Sequence, residues 1–100
     1  METAAKTREY YGYDEVREWP MVDGWSVCPD TPYFKVSCHH EARIGPSVLF
    51  GRGAKVKAEA VVEAGAVVGS RAVVGPNAKI RYDAGIGSGA VVEADAVAGA

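Results

Sequence analysis

Four residues between positions 28 and 40 have the side chains best suited to chemistry. They are Cys28, Cys38, His39 and His40, which are both cysteines and both histidines of the 100-residue chain. A histidine can act as a general base, and Cys and His are common zinc ligands. The spacing matches no strong zinc pattern and adjacent histidines rarely bind one ion together, so no metal site is predicted. Cys38 is expected to be a core thiol, and a Cys28–Cys38 disulfide stays open.

Length, charge and hydropathy narrow the function classes. One hundred residues make a single core, and a net charge of -2 makes nucleic acid an unlikely partner. No run of 18 apolar residues occurs, so no membrane contact is predicted. The first 19 residues lack the apolar stretch of a secretion signal, and the expected location is cytoplasmic.

From position 42 onward the sequence repeats every six residues. A small residue, or Val48, opens each repeat, and a second apolar residue follows two places later. Two inward side chains separated by one outward residue predict a short strand, and the remaining residues must turn a corner. Positive φ or tight turns are expected at the corner residues Gly45, Gly51, Gly53, Gly65, Gly69, Gly75, Asn77, Asp83, Gly87 and Gly89. Such a chain predicts a coil whose turns pair in parallel.

The segments "ARIGPS", "AVVEAG", "AVVGSR", "AVVGPN" and "AGIGSG" resemble the bacterial transferase hexapeptide repeat. The resemblance covers residues 42–100 and implies an all-β fold, a left-handed parallel β-helix of about three and a half triangular coils. Extending the phase backwards places "VSCHHE" in a further repeat, so the β-helix is predicted over 36–100. Residues 1–35 are predicted to form a small N-terminal cap, a helical piece plus a short hairpin. Its apolar lid is expected from Trp19, Trp25, Tyr33 and Phe34, whereas no cap is expected after Ala100.

The outward middle position of each repeat indicates where partners bind. Leu49, Val67 and Gly85 stack in the only column without a charge, and Val73 and Val91 stack in the column that holds Lys55. So many outward apolar residues are expected to be covered by another subunit or by the cap, and we predict these five as interface residues. Simple β-propensity on a solvated sheet is the alternative. A salt bridge is expected between Glu63 and Arg81 at a corner.

The resemblance also implies two enzyme classes. Many hexapeptide-repeat proteins are acyltransferases that use a histidine as general base and bind acyl-CoA between subunits, and others resemble γ-class carbonic anhydrases with a three-histidine zinc site. No histidine follows His40, so the carbonic anhydrase pattern is absent. A minimal acyltransferase would use acetyl-CoA or another acyl-CoA, with His39 or His40 as base.

The favoured function is a small non-catalytic binding or assembly protein that presents rigid faces to a protein partner, and it includes an inhibitor as a special case. No catalytic residue and no cofactor are predicted under this interpretation. The resemblance implies a homo-oligomer, with a trimer favoured and an end-to-end dimer as the alternative.

Overall fold

The computed structural model describes residues 10–29 and 31–99. Its N-terminal elements are β1 (Tyr10–Gly12), α1 (Tyr13–Val16), β2 (Met21–Val22), β3 (Trp25–Val27) and β4 (Lys35–Cys38). The regular strands that follow are β5 (Arg43–Ile44), β6 (Leu49–Gly51), β7 (Lys55–Val56), β8 (Val61–Val62), β9 (Val67–Val68), β10 (Val73–Val74), β11 (Lys79–Ile80), β12 (Gly85–Ile86), β13 (Val91–Val92) and β14 (Val97–Ala98).

The strands form three sheets along a β-solenoid of about three turns. The first sheet has the order β5-β8-β11-β14, the second β1-β6-β9-β12, and the third β2-β3-β4-β7-β10-β13. Paired residues in successive coils are 18 positions apart, as in Ile44 opposite Val62. Three six-residue repeats therefore make one coil. The predicted all-β architecture of stacked parallel coils is confirmed.

The core fills the inside of the coils. Phe50 pairs with Val68 and Val68 with Ile86, so the second sheet stacks the predicted inward column. Phe50 and Val68 are completely buried. The first position of each repeat is equally buried in the middle coils, at Ala54, Ala60, Ala66, Ala72 and Ala78. The six-residue phase thus directs the inward side chains as predicted.

The corners use two kinds of residue for two different reasons. Positive φ occurs at the last position of the repeats, as at Arg71 (62°) and Asn77 (62°). At the fourth position, Gly45, Gly51, Gly69, Gly75 and Gly87 have no positive φ, whereas Gly99 does (119°). Four of them, Gly45, Gly51, Gly69 and Gly75, instead leave space for the backbone of the next coil. A Cβ on Gly69 would lie 2.6 Å from the carbonyl oxygen of Ile86. Some corner glycines therefore allow close packing between coils rather than a turn with positive φ.

The N-terminal segment closes one end of the coils by adding antiparallel strands. β1 pairs with β6, and β3 pairs with β4 and with β2. The expected helical piece is a single turn, α1, and the chain just before Gly12 is strand rather than helix. The rest of that expectation, for residues 1–9, lies outside the described part, as does Asp30.

The apolar lid differs from the one expected. Tyr11, Trp19 and Phe34 form an edge-to-face cluster with ring centroids 4.6 to 5.9 Å apart. Tyr33 is instead half exposed, and Trp25 lies beneath two lysine side chains outside this cluster. Pairing of strand β1 brings Tyr11 inward opposite Phe50, which the sequence pattern did not indicate.

We predict that Gly69→Ala lowers the free energy of unfolding by about 1–3 kcal/mol, because its methyl group would overlap the backbone of the next coil. Gly87→Ala is the matched control, since it occupies the same repeat position one coil later with no atom within 4 Å of an added Cβ. The control should be neutral or slightly stabilising. Denaturant unfolding followed by circular dichroism measures both, and equal losses would contradict the close-approach explanation.

Candidate functional site

The two histidines lie on the corner that follows β4, and both are exposed. Their rings stack with centroids 4.4 Å apart and planes 25° from parallel. The backbone N–H of His39 donates to the carbonyl oxygen of Val56 in the next coil, at 2.9 Å. The regular pairing of the coils therefore fixes the position of this corner.

The hydrogen bonding of His39 limits its use as a base. The backbone N–H of Glu41 donates to His39 Nδ1 at 3.1 Å, so the neutral ring carries its proton on Nε2. Neither ring nitrogen then offers a lone pair to a substrate. His40 has its Nε2 atom 4.0 Å from Glu41 Oε2 and is the less constrained of the two. Of the two predicted bases, His40 is the better placed.

A metal ion would need a different arrangement of these side chains. Among the described residues, His39, His40 and Glu41 place their ligand atoms within 4.8 Å of one another, and neither cysteine belongs to this group. The lone pairs of an imidazole lie in the ring plane, and the planes of stacked rings do not converge on one ion. All three residues are exposed. The corner as it stands is not a formed metal centre.

Both cysteines are thiols rather than partners in a disulfide. Cys28 is almost completely buried in the N-terminal segment. Cys38 stacks on Val56 in the third sheet, and burial raises the pKa of its thiol to about 12. A thiol that stays protonated at neutral pH is a poor nucleophile and a poor metal ligand.

A groove of about 600 Å³ opens beside this corner. One wall is the β2–β3 hairpin with Met21 and Gly24, and the other is formed by Ser37 of β4, Lys55 of β7 and Lys57 at the corner that follows β7. The two histidines and Cys38 also line it, which places the chemistry-bearing residues around a concave surface. No sequence pattern indicated this groove, because it depends on where the hairpin folds.

The predicted interface residues fall on two different sheets. Leu49, Val67 and Gly85 stack along the second sheet, and β1 adds Gly12 opposite Leu49. We call these four residues the uncharged column. β1 lies beside Leu49 as the next strand, so the described part of the N-terminal segment extends this face rather than covering it.

Val73 and Val91 pair on the third sheet in line with Lys55, as the repeat predicted. Elsewhere on the surface, Glu63 Oε2 pairs with Lys79 Nζ at 3.5 Å instead of the expected Arg81. Lys79 lies on β11, opposite Val61 of the neighbouring strand β8, whereas Arg81 lies at the corner that follows β11. The predicted Glu63–Arg81 salt bridge is therefore wrong, and Lys79 is the cation that pairs with Glu63.

In comparisons with known proteins, no family model, curated protein or solved structure matches this chain. Within residues 10–29 and 31–99, no helix has the length and apolar character needed to cross a bilayer. The geometry of the faces, the corner and the groove is therefore the basis for any functional proposal.

We predict slow alkylation of Cys38 by iodoacetamide at pH 8, because only the thiolate reacts. A pKa of about 12 leaves about one thiol in ten thousand ionised at this pH. Allowing for the higher nucleophilicity of a basic thiolate, the rate should be at least about thirtyfold below that of a cysteine peptide. It should rise about tenfold per pH unit while the fold persists. Mass spectrometry measures the rate.

The Cys38→Ala variant provides the control, since its residual alkylation reports on the buried Cys28 alone. A wild-type rate at pH 8 equal to that of the peptide would contradict the inert state of this thiol.

Proposed function

We propose that this chain is a non-catalytic binding or assembly protein that works as a homo-oligomer and presents its sheet faces to a protein partner. The observation that supports it most is the uncharged column on the second sheet, Gly12, Leu49, Val67 and Gly85. Leu49 is 37% exposed, and Tyr10 at the end of the same sheet is 36% exposed. Charged residues are depleted and aromatic ones enriched at the centres of protein interfaces, so this face fits a contact surface.

The shape of this face also favours close contact. Its strands belong to one sheet, and the glycines at its two ends have no side chain to hold a partner away. An added Cβ on Gly85 would meet no atom within 4 Å, so the space outside that strand is available to a neighbour. By contrast, the outward columns of the other sheets contain Arg43, Lys79 or Lys55.

We propose a trimer as the favoured assembly, on the basis of the resemblance to hexapeptide-repeat proteins. Val73 and Val91 on the third sheet make a secondary contact surface, with Val91 64% exposed. An end-to-end dimer through β12, β13 and β14 is the alternative assembly, since these are the last described strands of the three sheets. Blocking another protein's surface, as an inhibitor does, is a special case of the same function.

A minimal acyltransferase is the second candidate, and the groove beside the histidines is what favours it. His40 would be the general base, and acetyl-CoA or another acyl-CoA would be the donor. Titration calorimetry with acetyl-CoA tests this second candidate, because the enzyme requires binding and a chain that does not bind the donor would exclude it. We propose a cytoplasmic location for either, supported by two cysteines that are thiols.

We predict that Val67→Lys separates the subunits without unfolding them. The outward position leaves the core untouched, while a lysine at the centre of the buried face would weaken association by about 30-fold or more. Light scattering should show the mass falling toward the 10.5 kDa of one chain, with the circular dichroism spectrum retained.

Val73→Lys is the matched control, since Val73 is also half-buried and occupies the same repeat position on the third sheet. It should reduce the mass less. A parental mass retained by Val67→Lys would exclude the second sheet as the interface, and a wild-type protein of 10.5 kDa at micromolar concentration would exclude the homo-oligomer.

A further inference from the structure

The groove beside the histidine corner is separate from the uncharged column and is not used by the proposed assembly. It lies on the third sheet, between residues of the β2–β3 hairpin and residues of β4 and β7. A volume of about 600 Å³ lies within the range of small-molecule sites. The residues around it therefore indicate which kind of molecule would fit.

Hydrogen bonds hold the hairpin wall of the groove in place. Ser37 Oγ donates to the carbonyl oxygen of Gly24 at 3.2 Å, which joins the hairpin turn to β4. Ser26 Oγ donates to Met21 Sδ at 3.2 Å, which orients the thioether. Asp23 and Gly24 both have positive φ, as a two-residue hairpin turn requires. Contacts within the chain thus define the concave shape.

The groove is electropositive on one side. Lys55 and Lys57 line it together with His39 and His40, and no carboxylate is among its lining residues. Lys55 Nζ lies 5.7 Å from the centroid of the Trp25 ring, and this cation–π contact restrains the ammonium group. Three acids are chain neighbours of lining residues, Asp23 next to Gly24, Glu41 next to His40 and Glu59 next to Ala58, and none of the three lines the groove.

The remaining lining is apolar or neutral. Met21, Ala58 and Pro76 offer apolar surface, and the thiol of Cys38 is uncharged at neutral pH. A molecule with an apolar body could bury that body here while its charge stays near the lysines. A purely inorganic anion would leave the apolar surface uncovered.

We propose that this groove binds an amphipathic organic anion, a molecule with an apolar body and a carboxylate, phosphate or sulfonate group. The apolar body packs between Met21 and Ala58, and the anionic group lies at Lys55 and Lys57. This proposal does not depend on the assembly face or on any catalytic role for His40.

The test uses the full chain and 8-anilinonaphthalene-1-sulfonate, a fluorescent amphipathic anion. We expect one molecule bound per chain, and binding at least about fivefold weaker for N-phenyl-1-naphthylamine, which lacks the sulfonate. Amide shifts in two-dimensional NMR should map the sulfonate to Gly24, Ser37–His40 and Lys55–Ala58. Shifts centred on Leu49 and Val67 would overturn the proposal, because they would place the probe on the uncharged column.

Charge removal provides a second arm. The double variant Lys55→Met/Lys57→Met should raise the dissociation constant of the sulfonate about tenfold, since each partly exposed charge contact contributes a few-fold. Arg43→Met/Lys79→Met removes the same net charge from the first sheet and should change it less than twofold. Equal effects in the two variants would overturn the proposal, since only the overall charge would then matter. Circular dichroism verifies that both variants are folded.

Competition identifies the anionic group. Octanoate and octyl phosphate should displace the probe, whereas octanol should not. Displacement by only one anion would support the proposal and name the preferred group. Displacement by octanol at the same concentration would overturn it, because the groove would then select apolar bodies alone. None of these results depends on the oligomeric state, so failure here and failure of the proposed assembly are distinguishable.

Discussion

Hydrogen bonds between successive coils are the interaction on which the rest of this structure depends. Val67 N–H donates to the carbonyl oxygen of Ala84 at 2.9 Å, and Gly69 N–H donates to that of Ile86 at 2.8 Å. Strands paired in this way lie about 4.8 Å apart, so each coil must nearly superimpose on the next. Any side chain that points along the stacking direction at a corner therefore meets backbone. Gly45, Gly51, Gly69 and Gly75 leave this space to the next coil, since an added Cβ would lie 2.5 to 2.8 Å from its backbone.

The same constraint makes the ends of the solenoid different from its middle. The first coil has no preceding coil to pair with, and the N-terminal segment supplies antiparallel partners to two of its strands, β1 to β6 and β3 to β4. The third, β5, is the edge strand of the first sheet. Antiparallel strands can follow one another through short turns, as β2 and β3 do through the two residues Asp23 and Gly24. Folding the hairpin back in this way buries Tyr11, Trp19 and Phe34 under the first coil. It also creates the wall of the groove, so the concave surface is a consequence of how the end is closed.

The sequence predicts the repeating part of this fold far better than the part before it. The same pattern recurs in every repeat, so the prediction that Val68 and Ile80 point inward is supported by all the other repeats. The N-terminal segment occurs once, and its helix-compatible composition concealed the strand at Tyr10–Gly12. One usable signal was missed there, since Asp23-Gly24 between apolar residues is typical of a hairpin turn. The groove depends on contacts across the fold, which no local pattern records.

The regularity of the coils also bears on what the protein can do. Binding sites need concave surfaces and convergent polar groups, and an unbroken prism has flat faces with side chains that point outward and apart. Along the regular coils from Ala42 onward, the sheets offer surfaces for contact with another protein, of which the uncharged column is the least costly to bury.

The flat surface is broken where the N-terminal hairpin meets the coils, and there Met21, Lys55 and Lys57 line a common groove. Assembly through the flat faces and small-molecule binding at the closed end are therefore compatible in one chain, because the two surfaces share no residue. His39 belongs to the second surface, but its Nδ1 atom is already bonded to the backbone, so positioning of a ligand suits it better than proton transfer.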